Sequence, residues 1–422
     1  MDKLVINGSR PLYGEVEISG MKNAVLPILY ATIIANDVCV IENVPPIGDI
    51  RATLRILRTM GAQIEQLSET TVQIDTRGVR QGSSPDEIVS TLRGSTYLLG
   101  AELARFSRAH VGVSGGCLLG ARPIDMHLYG FRKLGAQVSD DGSFINAHAA
   151  EGLHGSKIVF DKVSVGATCN MLLAACTAQG ETIIDNAARE PHVVDLAGFL
   201  NTCGAQIKGA GTSTIKVKGV PALHGCRYEV IPDMIEAGTY MVAAAATGGE
   251  VTLRGVIPKH METVTEKLRE MGIGVVEHSD SDSITVTGKP TFRSARIETQ
   301  AYPGFPTDMH PQFAALFSIA QGASTITEHV WPNRFRYTEE LKKMGAAITV
   351  ENNCAFFVNV MKLRGARVVA TDLRAGAALV IAALAAEGTT EILSVDNIRR
   401  GYVDIVGKLR ALGADISIEE EL

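Results

Sequence analysis

The chain has 422 residues, 46% hydrophobic and 20% charged, which is ordinary for a soluble globular protein and too long for one comfortable core. A net charge of −6 without a lysine- or arginine-rich run argues against nucleic acid as a partner. The start lacks a signal-peptide core, the apolar runs are shorter than a membrane span, and the seven cysteines form no CxxC pair. A reducing cytoplasm is therefore the expected compartment, with no membrane partner, no disulfide framework and no metal site.

The first twenty residues, with KLVINGSRPLYGEVEISG, read as strands with no helix before them. SGMKNAVLPIL then opens an apolar helix, and LRTMGAQI ends a second helix and starts a strand. That ending recurs as FRKLGAQV, LNTCGAQI, LREMGIGV, LKKMGAAI and LRALGADI. Its glycines, Gly61, Gly135, Gly204, Gly272, Gly345 and Gly413, stand 68 to 74 residues apart. Six copies at so even a period define a repeat of about 70 residues. Each copy holds a second, apolar helix, and four of these end at Gly180, Gly249, Gly322 and Gly388. The unit reads as a βαβαββ-type module, so the fold class is α/β.

The apolar helices read as buried on most sides, and their polar residues collect at their starts: KVSVGAT, IPDMIEAGT, FPTDMH and TDLRAG. Helix starts attract anions through unpaired N–H groups, although such residues are equally ordinary N-caps. The last module stops after a single strand, so both N-terminal strands are expected to complete it. Three modules then form one lobe, residues 21–229, and three the other, residues 1–20 plus 230–422, with the active site expected in the cleft between them. Two chain crossings, near residues 20 and 229, would permit closure over a ligand. The phosphate-loop and dinucleotide fingerprints are absent, which leaves a nucleotide only some other mode of binding.

SGGCLLGARP, residues 114–123, poses a separate question, because Cys117 stands behind two glycines and ahead of Arg122. It is either a buried small hydrophobe or a thiol made reactive by a nearby positive charge on a pliable loop. Cys169 and Cys176, seven apart in an apolar helix, read as packing, and Cys39, Cys203, Cys226 and Cys354 match no site motif.

SGMKNAVLPIL, GGCLLGARPIDMHL, DKVSVGAT, NAAREP, YPGFPTDM, NRF, TDLRA and RGY occur in this order along the whole chain. In them the sequence resembles the UDP-N-acetylglucosamine 1-carboxyvinyltransferases, enolpyruvyl transferases of the EPSP synthase superfamily. The resemblance implies an inside-out α/β barrel of two lobes, each with pseudo-threefold symmetry. It implies transfer of enolpyruvyl from phosphoenolpyruvate to the 3′-hydroxyl of UDP-N-acetylglucosamine, through a tetrahedral ketal and with release of phosphate. That step opens peptidoglycan precursor synthesis, and it calls for no metal or other cofactor.

The resemblance also implies the site residues. Lys22 and Asn23 match the pair that contacts phosphoenolpyruvate. Arg122, Arg374 and Arg400 match cations around the reacting groups, and Arg93 matches a substrate-contacting arginine; the guanidinium fork suits phosphate and carboxylate. Cys117 matches the proton donor, a thiol expected to react with the phosphonate epoxide fosfomycin. Asp308 matches the residue at the sugar hydroxyl, and Asp372, at the equivalent place in the last module, is a second proton-transfer candidate. A helix start suits Asp308 to ion contact better than to strong basicity. Arg122, Pro123, Ile124, Asp125 and Met126, with Lys162, Val163, Ser164 and Val165, match the segments that bind the UDP moiety. Val330 and Arg334 match contacts in and before the NRF motif. The pattern departs from the family at Met21, Gly94, His310 and Arg336–Tyr337. A sister enzyme acting on shikimate 3-phosphate, and an inactive nucleotide-sugar-binding paralog, are the competing readings. The Cys117 loop and the NRF segment argue against the first, and retention of Lys22, Cys117, Asp308 and Arg400 against the second.

Overall fold

The computed structural model describes residues 2–82, 89, 92–112, 124–278 and 280–420. They divide into two compact units, a first of residues 20–112 with 124–231 and a second of residues 2–19 with 232–420. Each unit is built around three apolar helices that pack on one another. In the first these are α1 (Lys22–Ala35), α2 (Tyr97–Phe106) and α3 (Val165–Ala175). In the second they are α4 (Met234–Thr247), α5 (His310–Phe317) and α6 (Leu373–Ala385). Two neighbouring helices and a sheet cover each of them, which is why α1 is buried without a break from Ala24 to Ala35.

Three sheets lie over the helices of each unit. In one, Val38–Glu42 runs antiparallel to Thr71–Asp75, which pairs with Gln63–Ser68, while Arg227–Glu229 joins in parallel on the other side. Alternate residues Cys39, Ile41, Val72 and Ile74 are buried against the helices, as a half-covered sheet requires. Each module adds an outer helix, clearly amphipathic at Gly48–Thr59 and Glu262–Glu270. All six outer helices end before a repeated glycine, and these glycines have φ between +87° and +107°. Glycine alone enters that region without a steric penalty, so the recurrent residue is the recurrent stop signal.

Several details differ from the sequence reading, and α3, α5 and α6 stop at Ala175, Phe317 and Ala385, short of Gly180, Gly322 and Gly388. Helix α4 is capped by Gly248 at φ +72°, not by Gly249, whose backbone instead lies against Leu12. The strand Asp2–Asn7 fits between Thr389–Leu393 and Asp415–Glu420 and completes the last module. Tyr13–Glu17 does not follow it. It pairs in parallel with Glu250–Arg254, because the buried Leu12 and the Glu250 N–H to Leu12 carbonyl bond of 2.8 Å commit the chain to the next sheet.

Candidate functional site

In the second unit the sequence-predicted residues converge on Asp308, which lies in the 3-10 turn Thr307–Met309 that leads into α5. Arg334 Nη2 donates to Asp308 Oδ1 at 2.7 Å, and Arg374 Nε and Nη2 donate to Oδ2 at 3.3 and 3.2 Å. Both arginines are about 95% buried, while the Asp308 side chain keeps 28% exposure. Burial works against the charge of Arg374, but the Asp308 carboxylate and the Tyr402 hydroxyl outweigh it and raise the guanidinium pKa above its ordinary value. The guanidinium also stands over the Tyr402 ring, 5.8 Å from its centroid. These donors hold the carboxylate from two sides and fix its plane.

Asp372 does something plainer. Its Oδ1 accepts from the N–H groups of Arg374 and Ala375 at 2.9 and 3.0 Å, so it is the N-cap of α6. Asp308 makes no such side-chain cap to α5. The two positions, equivalent in the repeat, have parted in role. Arg400 is exposed on the turn that follows the helix Asp396–Arg399.

A buried carboxylate that sequence reasoning missed links this centre to Val330. Glu328 Oε1 accepts from the Val330 and Trp331 N–H groups at 2.6 and 2.8 Å, and Oε2 accepts from Thr307 Oγ1 at 2.8 Å. Thr307, which precedes Asp308, and the Val330–Trp331 pair are thus pinned to one side chain. His310 Nε2 lies 3.5 Å from Glu328 Oε2. Burial, and then the Arg334 charge, push the His310 pKa well below its ordinary value, so the ring is neutral. Its Nδ1 meets Tyr337 Oη at 3.2 Å. His310 and Tyr337, two residues expected to depart from the family pattern, therefore touch each other.

In the first unit Lys22 is the first residue of α1, and its Nζ lies 3.3 Å from Asp49 Oδ2. Asp49 stands buried in the first turn of Gly48–Thr59. Asn23 is half-buried one residue further along α1. Arg93 opens the 3-10 turn before α2, and its side chain lies outside the described residues. Ser164 caps α3 by accepting from the Ala167 N–H at 3.3 Å. Val163 beside it is 39% exposed, Lys162 is also exposed, and Val165 begins the helix. Ile124, Asp125 and Met126 form the start of the outer helix Asp125–Lys133. Cys117, Arg122 and Pro123 lie outside the described residues.

The two segments matched to nucleotide binding are brought together by residues the sequence did not single out. His127 Nδ1 meets Asn170 Nδ2 at 2.8 Å, and Gly166 leaves room for the His127 ring. Asn170, fully buried in α3, also donates to the Thr96 carbonyl and accepts from the Gly100 N–H, each at 3.0 Å. One amide side chain thus ties together α2, α3 and the helix carrying Asp125.

The family model described as EPSP synthase (3-phosphoshikimate 1-carboxyvinyltransferase) matches residues 6–409. The chain belongs to the EPSP synthase family. Within that family it is 53% identical over 417 residues to a UDP-N-acetylglucosamine 1-carboxyvinyltransferase of Clostridium botulinum, covering 99% of both chains. It is 51% identical over 416 residues to UDP-N-acetylglucosamine 1-carboxyvinyltransferase 3 of Caldanaerobacter subterraneus, again covering 99% of each. Among solved structures, the enolpyruvyl transferase NikO of Streptomyces tendae superposes with a TM-score of 0.89 at 27% identity, covering 100% of this chain and 99% of that one. An Acinetobacter baumannii EPSP synthase, at 20% identity and a TM-score of 0.77, shares the fold over the full length of both.

Proposed function

We propose that this chain is a UDP-N-acetylglucosamine 1-carboxyvinyltransferase, an enzyme of peptidoglycan precursor synthesis. The observation that carries the reading is full-length identity of about one residue in two to transferases bearing that name. The 3′-hydroxyl adds to C2 of phosphoenolpyruvate as C3 takes a proton, giving a tetrahedral ketal with a methyl group. Loss of a methyl proton and cleavage of the C–O bond to phosphate then restore the double bond and release phosphate.

This chemistry requires a proton donor for C3, an acceptor for the hydroxyl proton and fixed cations for phosphate and carboxylate. Cys117 is proposed as the donor, with Lys22, Asn23, Arg122 and Arg400 on the phosphoenolpyruvate anion. Asp308 is proposed at the sugar hydroxyl. The grip of Arg334 and Arg374 supports a role in orienting that hydroxyl, because a carboxylate paired with two guanidinium groups is a weak base. Arg93, with the segments at 122–126 and 162–165 and with Val330, is proposed to hold the nucleotide sugar, and the His127–Asn170 contact supports their acting together. Asp372, as the N-cap of α6, is proposed to position Arg374 and not to carry a proton. No helix among the described residues is long and apolar enough to cross a membrane, and the cytoplasm is the proposed compartment.

Phosphate release tests the reading. The purified protein is expected to release phosphate from phosphoenolpyruvate when UDP-N-acetylglucosamine is added. Release with shikimate 3-phosphate in its place would overturn the assignment.

A further inference from the structure

Three cysteines that carry no motif in the sequence meet in the first unit, in a region the proposed reaction does not use. Cys39 lies in the strand Val38–Glu42, Cys203 caps the end of the outer helix Pro191–Thr202, and Cys226 directly precedes the strand Arg227–Glu229. Their three sulfur atoms all lie within 4.8 Å of one another, and Cys203 Sγ is 3.3 Å from Cys226 Sγ. Cys39 and Cys203 are buried and Cys226 is half-buried, so the cluster has one side open to entry.

The backbone holds the three elements in place. Val40 donates to the Cys226 carbonyl at 2.8 Å, His224 donates to the Cys203 carbonyl at 2.9 Å, and Gly225 donates to Asp37 Oδ2 at 3.0 Å. Gly225 also lies against the Val38 carbonyl, where a larger residue could not stand. The thiols are thus presented by a rigid frame, as a preformed ligand set should be.

We infer that Cys39, Cys203 and Cys226 form a three-thiolate site for a soft d10 cation, with monovalent copper as the preferred occupant. Metal–sulfur bonds of about 2.3 Å directed at trigonal angles separate the sulfurs by roughly 4 Å, so these thiols need only small shifts to enclose an ion. Thiolates select Cu(I) and Zn(II), whereas magnesium and calcium require oxygen donors. Among the described residues no imidazole or carboxylate joins the group, and a structural zinc site would want a fourth ligand. Binding exchanges thiol protons for the cation, and the electrons stay on sulfur. The inference is independent of the proposed reaction.

The test uses the full-length Cys117→Ala protein, reduced and kept anaerobic, titrated with Cu(I) against a coloured Cu(I) chelator. One equivalent is expected to transfer from the chelator, with a rise in melting temperature. Cys226→Ala, at the half-buried position, is expected to weaken uptake by tenfold or more while leaving the circular dichroism of the apoprotein unchanged. Cys203→Ser is expected to do the same to uptake, and Cys354→Ala to change nothing. Equal uptake by the Cys226→Ala protein, no uptake at all, or a Cys203–Cys226 disulfide forming in place of uptake would overturn the proposal.

Discussion

In the second unit Asp308 is held by two buried guanidinium groups at 2.7 to 3.3 Å, whereas in the first unit Lys22 meets Asp49 across 3.3 Å as an ammonium on a flexible stem. The forks of Arg334 and Arg374 set the direction of a carboxylate before any ligand is present. A lysine ammonium supplies a point charge on a stem of rotatable bonds and can re-aim it when an anion arrives. The difference divides the proposed labour: the second unit fixes geometry, and the first adapts to a phosphate whose charge and position change during the reaction.

The comparison breaks most visibly at Arg374. Arg374→Ala is expected to lower turnover by ~10²–10³-fold, as loss of a preorganised donor does. Because Asp308 keeps Arg334 and part of its solvent contact, the cost in stability should be smaller, about 1.5–3 kcal/mol. Steady-state kinetics and urea unfolding check both, and Arg374→Lys should recover only part, since a point charge cannot reproduce the fork. An alanine variant with unchanged turnover would remove the geometric role assigned to the second unit.

A second contrast concerns buried acids. In the first unit burial raises Asp195 to about 6 and Glu102 to about 7, while in the second Glu236, also raised by burial, has Lys408 at 2.8 Å. Unfolded carboxyls lose their protons near pH 4, so between about pH 4 and 7 the native state binds protons that the unfolded state has released. Stability therefore falls as pH rises through that window, with Asp195 accounting for about 2–3 kcal/mol. Asp195→Asn is expected to flatten this part of the profile in urea unfolding at pH 4 to 8. A variant curve parallel to that of the parent protein would show that folding does not change the proton affinity of Asp195.

Two smaller effects sharpen the division of labour. Asp49→Asn removes the charge facing Lys22 and is expected to change KM for phosphoenolpyruvate by roughly tenfold while kcat moves little, the size of one charge-assisted contact. Equal effects on both substrates would contradict it. Glu328→Gln is expected to raise KM for the nucleotide sugar by several-fold, on the order of 1 kcal/mol, since the amide keeps an acceptor for Val330 and Trp331 but loses the charge. An unchanged KM would detach Glu328 from the Val330 segment.

Much of the fold was legible because the repeat marks itself. Six glycines forced to positive φ recur at near-constant spacing, and each stops an outer helix. The placement of Tyr13–Glu17 was not legible, since parallel pairing with Glu250–Arg254 leaves no local trace in either segment. Asp308, Arg334 and Arg374 were reachable through motifs. Asp49, Asn170 and Glu328 were not, because a single polar residue inside an apolar or ordinary stretch acquires meaning only through partners distant in sequence, as Asn170 does through Gly100 and His127. The same holds for the three cysteines, which sit on or beside two strands of one sheet and at the end of Pro191–Thr202.

The central claim is enolpyruvyl transfer by addition and elimination, and the isotopic content of the product tests it most directly. In deuterium oxide, with phosphoenolpyruvate and UDP-N-acetylglucosamine, the methyl group of the ketal must gain a solvent deuteron and then lose one of its three hydrogens. Proton NMR of the isolated product is expected to show enolpyruvyl attached at the sugar 3′-oxygen, with deuterium in its methylene group. A product whose methylene carries only protium, or no enolpyruvyl sugar nucleotide at all, would contradict the account.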